Sequence, residues 1–171
     1  VNSGYNGFLH PLFVPAQILA LLSLGILLVQ QNQYFLKVSI LSFLISCTIG
    51  MVLTLLDKNI KMDSHLLILS IGMGLSIAID YKFSLRLYVF LAIMSGLSLG
   101  LDSEHQDLSG KEKYYTLMGC WVGLWACLSG VLIFTEKMKN KEWQRIFLRI
   151  IGSWVAASSV LVISLLFFDK N

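Results

Sequence analysis

The sequence predicts an all-α polytopic membrane protein: one domain, residues 1–171, built as a bundle of six transmembrane helices. Three observations lead there. The chain is 56% hydrophobic and 13% charged, against about 25% charged residues in an ordinary soluble domain. Its mean hydropathy is +0.74, more apolar surface than a water-soluble fold of this size can hide. The apolar residues also fall into six long continuous stretches rather than alternating, and the stretches are too long for barrel strands of about 10 residues.

The elements follow in order. The first stretch runs from Leu12 to Val29, with Pro15 near its start, where a missing N–H costs little. Gln30 to Gln33 ends it. The second runs from Val38 to Leu56 and stops at Asp57-Lys58-Asn59. The third, Leu66 to Ile79, is the shortest, and Asp80-Tyr81-Lys82 turns the chain into the fourth, Ser84 to Leu101. A polar loop from Asp102 to Lys113 leads to the fifth, Tyr114 to Phe134. A basic loop from Glu136 to Arg145 leads to the sixth, Phe147 to Phe168.

An even number of spans places both termini on one side. That side collects Lys58, Lys61, Lys111, Lys113 and Lys170. The other collects Lys37, Lys82, Arg86, Lys137, Lys139, Lys141, Arg145 and Arg149, an excess of eight to five. Positive residues favour the cytoplasm, so the termini are expected outside, in the periplasm of a bacterial inner membrane. Val1 and the polar start after it, which has no basic region, are read as a mature terminus left by signal-peptide cleavage. The net charge of +3 is an orientation signal and not a nucleic-acid footprint.

Small residues mark packing faces. Gly96 and Gly100, and Gly119 and Gly123, form small-xxx-small pairs that let helices approach. Gly72 and Gly74 are given the same duty in the third span. Tyr34, Tyr114, Tyr115 and Trp143 lie near span ends, as interfacial aromatics do. Cys47, Cys120 and Cys127 have no metal-site spacing and read as buried thiols.

Candidate chemistry gathers on the outer side. His10 precedes Pro11 at the start of the first helix; imidazole is a common transition-metal ligand, and the alternative is a helix cap. Asp102, Glu104, His105 and Asp107 sit in the fourth-to-fifth loop, which the topology brings to the same side, and His65 starts the third span there too. A solvated polar loop is the alternative for this cluster. No ionisable residue falls near the middle of a span, whereas ion-coupled carriers usually keep such groups in the membrane. A path would be lined by hydroxyls such as Ser42, Ser46, Thr48, Thr54, Ser70, Ser76 and Ser95. The absence of a phosphate loop, nucleophile elbow or metalloprotease helix motif leaves an enzyme little to stand on.

Gly7-Phe8-Leu9-His10-Pro11, followed by Val14-Pro15-Ala16-Gln17 and the run Leu19 to Gly25, resembles the start of the HupE/UreJ family. Gly100 to Glu104 and Arg149 to Ala157 look like its later blocks. The resemblance implies a hydrogenase or urease accessory membrane protein, a nickel or cobalt permease, with a divalent transition metal as its cargo. In that family His-Pro is typically followed by an Asp-His or a lone His one to two turns later. His10 matches the first histidine, but Gln17 stands where the later one is expected, and no Asp precedes it. The resemblance makes His10 the first metal ligand, and the loop that the topology brings to its side offers Asp102, Glu104 or His105 to complete the set. The competing expectation is a non-catalytic accessory or assembly subunit of a larger membrane complex. A membrane enzyme or electron-transfer subunit is the third.

Overall fold

A computed structural model of the chain describes residues 7–9, 13–30, 33–55, 63–80, 83–103, 111–138 and 141–168. Residues 7–9 and 13 are helical, and six helices follow: α1 (Pro15–Val29), α2 (Gln33–Leu55), α3 (Asp63–Ile79), α4 (Leu85–Leu101), α5 (Lys111–Met138) and α6 (Glu142–Phe168). The all-α class holds, but the expectation of six transmembrane helices does not. Three helical stretches among the described residues are long and apolar enough to cross a membrane: Tyr34–Thr54, Glu112–Met138 and Glu142–Phe168. The other three helices are apolar but have 15 to 17 residues. At 1.5 Å per residue they reach only about 22–26 Å, short of the roughly 30 Å hydrocarbon core.

Local chemistry explains the lengths. Pro15, at the first helical position, starts α1 three residues later than hydropathy suggests. Asp80 stops α3 by adopting a left-handed conformation, φ 57°, a cap that Asp tolerates better than most residues. Arg149 Nε donates to the Ala78 carbonyl at 2.9 Å, satisfying an orphan acceptor at that helix end. The long helices err the other way. Lys111 to Lys113, Thr135 to Met138 and Glu142 to Arg145 are polar enough to read as loop but continue α5 and α6. The expected basic loop from Glu136 to Arg145 therefore shrinks to residues 139–141 between the two helices.

Helix α1 is the centre of the bundle. It packs against all five other helices, and Ala20, Leu24, Leu27 and Leu28 are fully buried. Being enclosed by protein, it has no lipid to span. The outer helices instead present large apolar side chains: Leu41, Ile45 and Ile49 on α2, Val122 and Phe134 on α5, Trp154, Leu161 and Leu165 on α6. Such a surface belongs against lipid. Tyr34, Tyr114, Tyr115 and Trp143 are exposed in the first turns of α2, α5 and α6.

Two helix pairs approach closely through glycine. At Gly100 a Cβ would lie 2.5 Å from the Cys47 carbonyl oxygen and 2.9 Å from Gly50 Cα, and at Gly96 it would meet Ser46 and the Phe43 carbonyl. These glycines bring α4 onto α2. Gly74 and Gly152 do the same for α3 and α6, where a Cβ on Gly74 would lie 2.7 Å from the Gly152 carbonyl. Gly72 departs from its expected duty: nothing lies within 4 Å of a Cβ there. It sits two residues from Gly74, on another face of the helix.

Candidate functional site

Gln17 is the third residue of α1, one turn from the end of a helix that is otherwise almost wholly apolar. Its side chain is 0% exposed. The bundle brings the start of α1 beside the end of α4, where Asp102 is the C-cap and its N–H donates to the Ser98 carbonyl at 3.0 Å. Gln17 Nε2 donates to Asp102 Oδ2 at 2.8 Å, with a longer approach of 3.4 Å to the Asp102 carbonyl. A carboxylate at a helix C-terminus meets the negative end of the helix dipole, and the amide donor offsets that. Gln17 Oε1 is buried with no hydrogen-bond partner among the described residues. A buried amide oxygen left unpaired costs about 1–3 kcal/mol, and this one lies beside the Asp102 carboxylate that the same side chain's N–H engages.

The surrounding elements place the pair at one end of the bundle. Lys113 Nζ, near the start of α5, donates to the Thr54 carbonyl at the end of α2, 3.2 Å away. The turn at residues 7–9 packs on the first half of α5: a Cβ on Gly7 would meet the Thr116 backbone, and Gly123 meets the Phe8 carbonyl. His65, in the first turn of α3, is exposed.

Of the residues expected to bind metal, Asp102 is half-buried and engaged by Gln17. His10, Glu104, His105 and Asp107 lie outside the described residues. Among the described residues no group of three or more His, Cys, Asp or Glu side chains could hold a metal ion. Cys47 and Cys120 are buried and Cys127 half-buried, all as free thiols. Gly96, Gly100 and Gly123 lie at close backbone approaches, the last against the N-terminal turn rather than a neighbouring long helix, and Gly119 is half-buried.

The hydroxyls proposed to line a path are mostly engaged within their own helices. Ser42, Ser46, Thr48, Thr54, Ser70 and Ser76 donate to carbonyls three or four residues back, at 2.6–3.0 Å. Ser95 Oγ is buried without a partner among the described residues. In the sequence Gln17 stands only as a departure from the expected second histidine, and nothing local to it marks its contact with Asp102. The available signal was topological: Asp102 follows the fourth apolar stretch, on the side where the first begins.

A family model described as HupE / UreJ protein matches residues 2–162. No curated protein and no solved structure matches the chain.

Proposed function

The chain belongs to the HupE/UreJ family, and from that membership we propose that it handles a divalent transition metal, nickel or cobalt, at the membrane, as a permease or a metal-handling accessory protein. The family is one of non-catalytic membrane proteins, and the chain is not an enzyme. The observation that carries the reading is the Gln17–Asp102 contact. It joins the position where the family's second imidazole is expected to a carboxylate from the fourth-to-fifth connection, at one end of a buried helix. Asp102 is then a ligand to the passing ion, with His10, Glu104 and His105 as its companions. Oxygen and imidazole together suit these borderline ions.

The chain lies in a bacterial inner membrane with residues 139–141 on the cytoplasmic side. Lys141 lies in that connection and Lys137, Arg145 and Arg149 on the helices beside it, and α5 and α6 are two of the long apolar helices, so the start of α5 and the end of α6 face the periplasm. The turn at residues 7–9, packed on the first half of α5, supports the same side for the start of the described chain.

The second reading, an accessory or assembly subunit of a larger membrane complex, is favoured by the same bond seen from the other partner. The Gln17 N–H occupies an Asp102 oxygen, and an amide is a weaker transition-metal ligand than imidazole. Uptake of radioactive nickel or cobalt into vesicles separates the two. A permease accumulates the ion and loses accumulation on Asp102→Ala. No accumulation, together with co-purification of stoichiometric partner chains, supports the subunit. Accumulation unchanged in Asp102→Ala contradicts the site.

A further inference from the structure

At the opposite end of α1 from Gln17 the bundle is incompletely filled. Helix α1 ends at Val29 after 15 residues, whereas its neighbours α2 and α5 have 23 and 28. Below Val29 a groove of about 440 Å³ opens between α2 and α5. Its walls are apolar: Leu36 and Ile40 on α2, Leu132 and Ile133 on α5. Ile133 is 59% exposed, so the groove opens sideways onto the surface that faces lipid. The polar groups in its lining are Lys37, Glu136 and Lys137, contributed by the start of α2 and the end of α5. Both lysines are exposed and Glu136 is half-buried. With two lysines against one glutamate in the lining, the mouth carries a positive excess.

We propose that this groove binds one anionic glycerophospholipid, its acyl chain against Leu36, Ile40, Leu132 and Ile133 and its phosphate between Lys37 and Lys137. The occupant follows from complementarity. The walls exclude a water-soluble ligand, and the sideways opening admits a chain from the bilayer. The lysines select a negative headgroup, and a long (CH₂)₄ stem lets each ammonium reach the interface while its base stays in the apolar zone. On the proposed orientation, with residues 139–141 on the cytoplasmic side, the groove faces the leaflet where anionic lipids bind juxtamembrane lysines. The shortness of α1 gains a consequence here: lipid fills the volume that a longer central helix would occupy.

Native mass spectrometry of the detergent-purified full chain tests this, titrating phosphatidylglycerol and phosphatidylcholine with identical acyl chains. One phosphatidylglycerol should be retained per chain, about tenfold more strongly than phosphatidylcholine, an order set by two lysines near the headgroup. The preference should shrink in high salt. Lys37→Gln with Lys137→Gln should abolish it while leaving weak, equal retention of both lipids. Ile40→Trp fills the apolar wall and should reduce retention of both lipids with the lysines intact, which keeps the test decisive if the double variant does not fold. Glycerol 3-phosphate should not compete; competition by it overturns the proposal in favour of a free phosphate site. Equal retention of the two lipids by wild type, or a preference that survives the double variant, also overturns it.

Discussion

Gly100 and Gly72 respond in opposite directions to the same substitution. Both are helical, so Ala at either position gains about 0.8–1.0 kcal/mol of helix propensity in the simplest case. At Gly72 nothing lies within 4 Å of the new methyl, and that gain is uncompensated. At Gly100 the methyl would sit 2.5 Å from the Cys47 carbonyl oxygen and 2.9 Å from Gly50 Cα and Met51 N. All three are backbone atoms and cannot rotate away, so α2 and α4 must separate by about 1 Å to restore ordinary contact. Overpacking of this kind costs about 1–3 kcal/mol, and separation also forfeits the dispersion contacts that hold helices together where water cannot. The net expectation for Gly100→Ala is a loss of up to about 2 kcal/mol, against a gain of up to about 1 kcal/mol for Gly72→Ala. At about 2–4 °C per kcal/mol for a chain of this size, the two variants should differ in apparent Tm by roughly 3–10 °C. Thermal unfolding in one detergent, followed by tryptophan fluorescence, reads the difference. Equal Tm for the two variants, or a more stable Gly100→Ala, refutes the close-approach argument.

Three further outcomes are expected. Asp80→Gly should keep or raise the Tm, because glycine takes a left-handed cap without strain, whereas Asp80→Val should lower it by the equivalent of about 1–2 kcal/mol; a better-tolerated valine would remove Asp80 as the terminator of α3. Arg145→Ala should change the Tm by no more than about 2–4 °C, since its 3.9 Å pair with Asp80 is solvent-exposed and such pairs contribute at most about 1 kcal/mol; a larger loss would require another role for Arg145. Lys141→Cys, in a background without native thiols, should resist a membrane-impermeant maleimide added to intact cells, and labelling there would reverse the proposed orientation.

The helical class was legible because continuous apolar runs have one economical backbone solution in lipid. The helix ends were not. Hydropathy sees the apolar middle of α5 but not that Lys111 to Lys113 and Thr135 to Met138 are good enough helix formers to extend it on both sides. Nor does it separate a central helix from a lipid-facing one, since both are apolar all round. That is why α1, enclosed by the other five helices, reads as a span of the same kind as α2, α5 and α6. The partners of the glycines also escaped the sequence. A pattern of small residues marks a close approach without naming the other helix, so Gly50, Gly152 and the different fates of Gly72 and Gly74 emerged only from packing. Asp102 was legible as an acidic residue after an apolar run; its bond to Gln17, 85 positions away in the chain, was not.

The most direct test of the account is calorimetric titration of nickel and cobalt into the purified chain as wild type, Gln17→His and Gln17→His with Asp102→Ala. If position 17 and Asp102 share one metal-handling site, Gln17→His should bind at least about tenfold more tightly than wild type, because an imidazole replaces an amide beside a carboxylate. The added Asp102→Ala should abolish most of that gain. Binding unchanged by Gln17→His, or a gain that survives the loss of Asp102, would contradict a shared site at the end of the central helix.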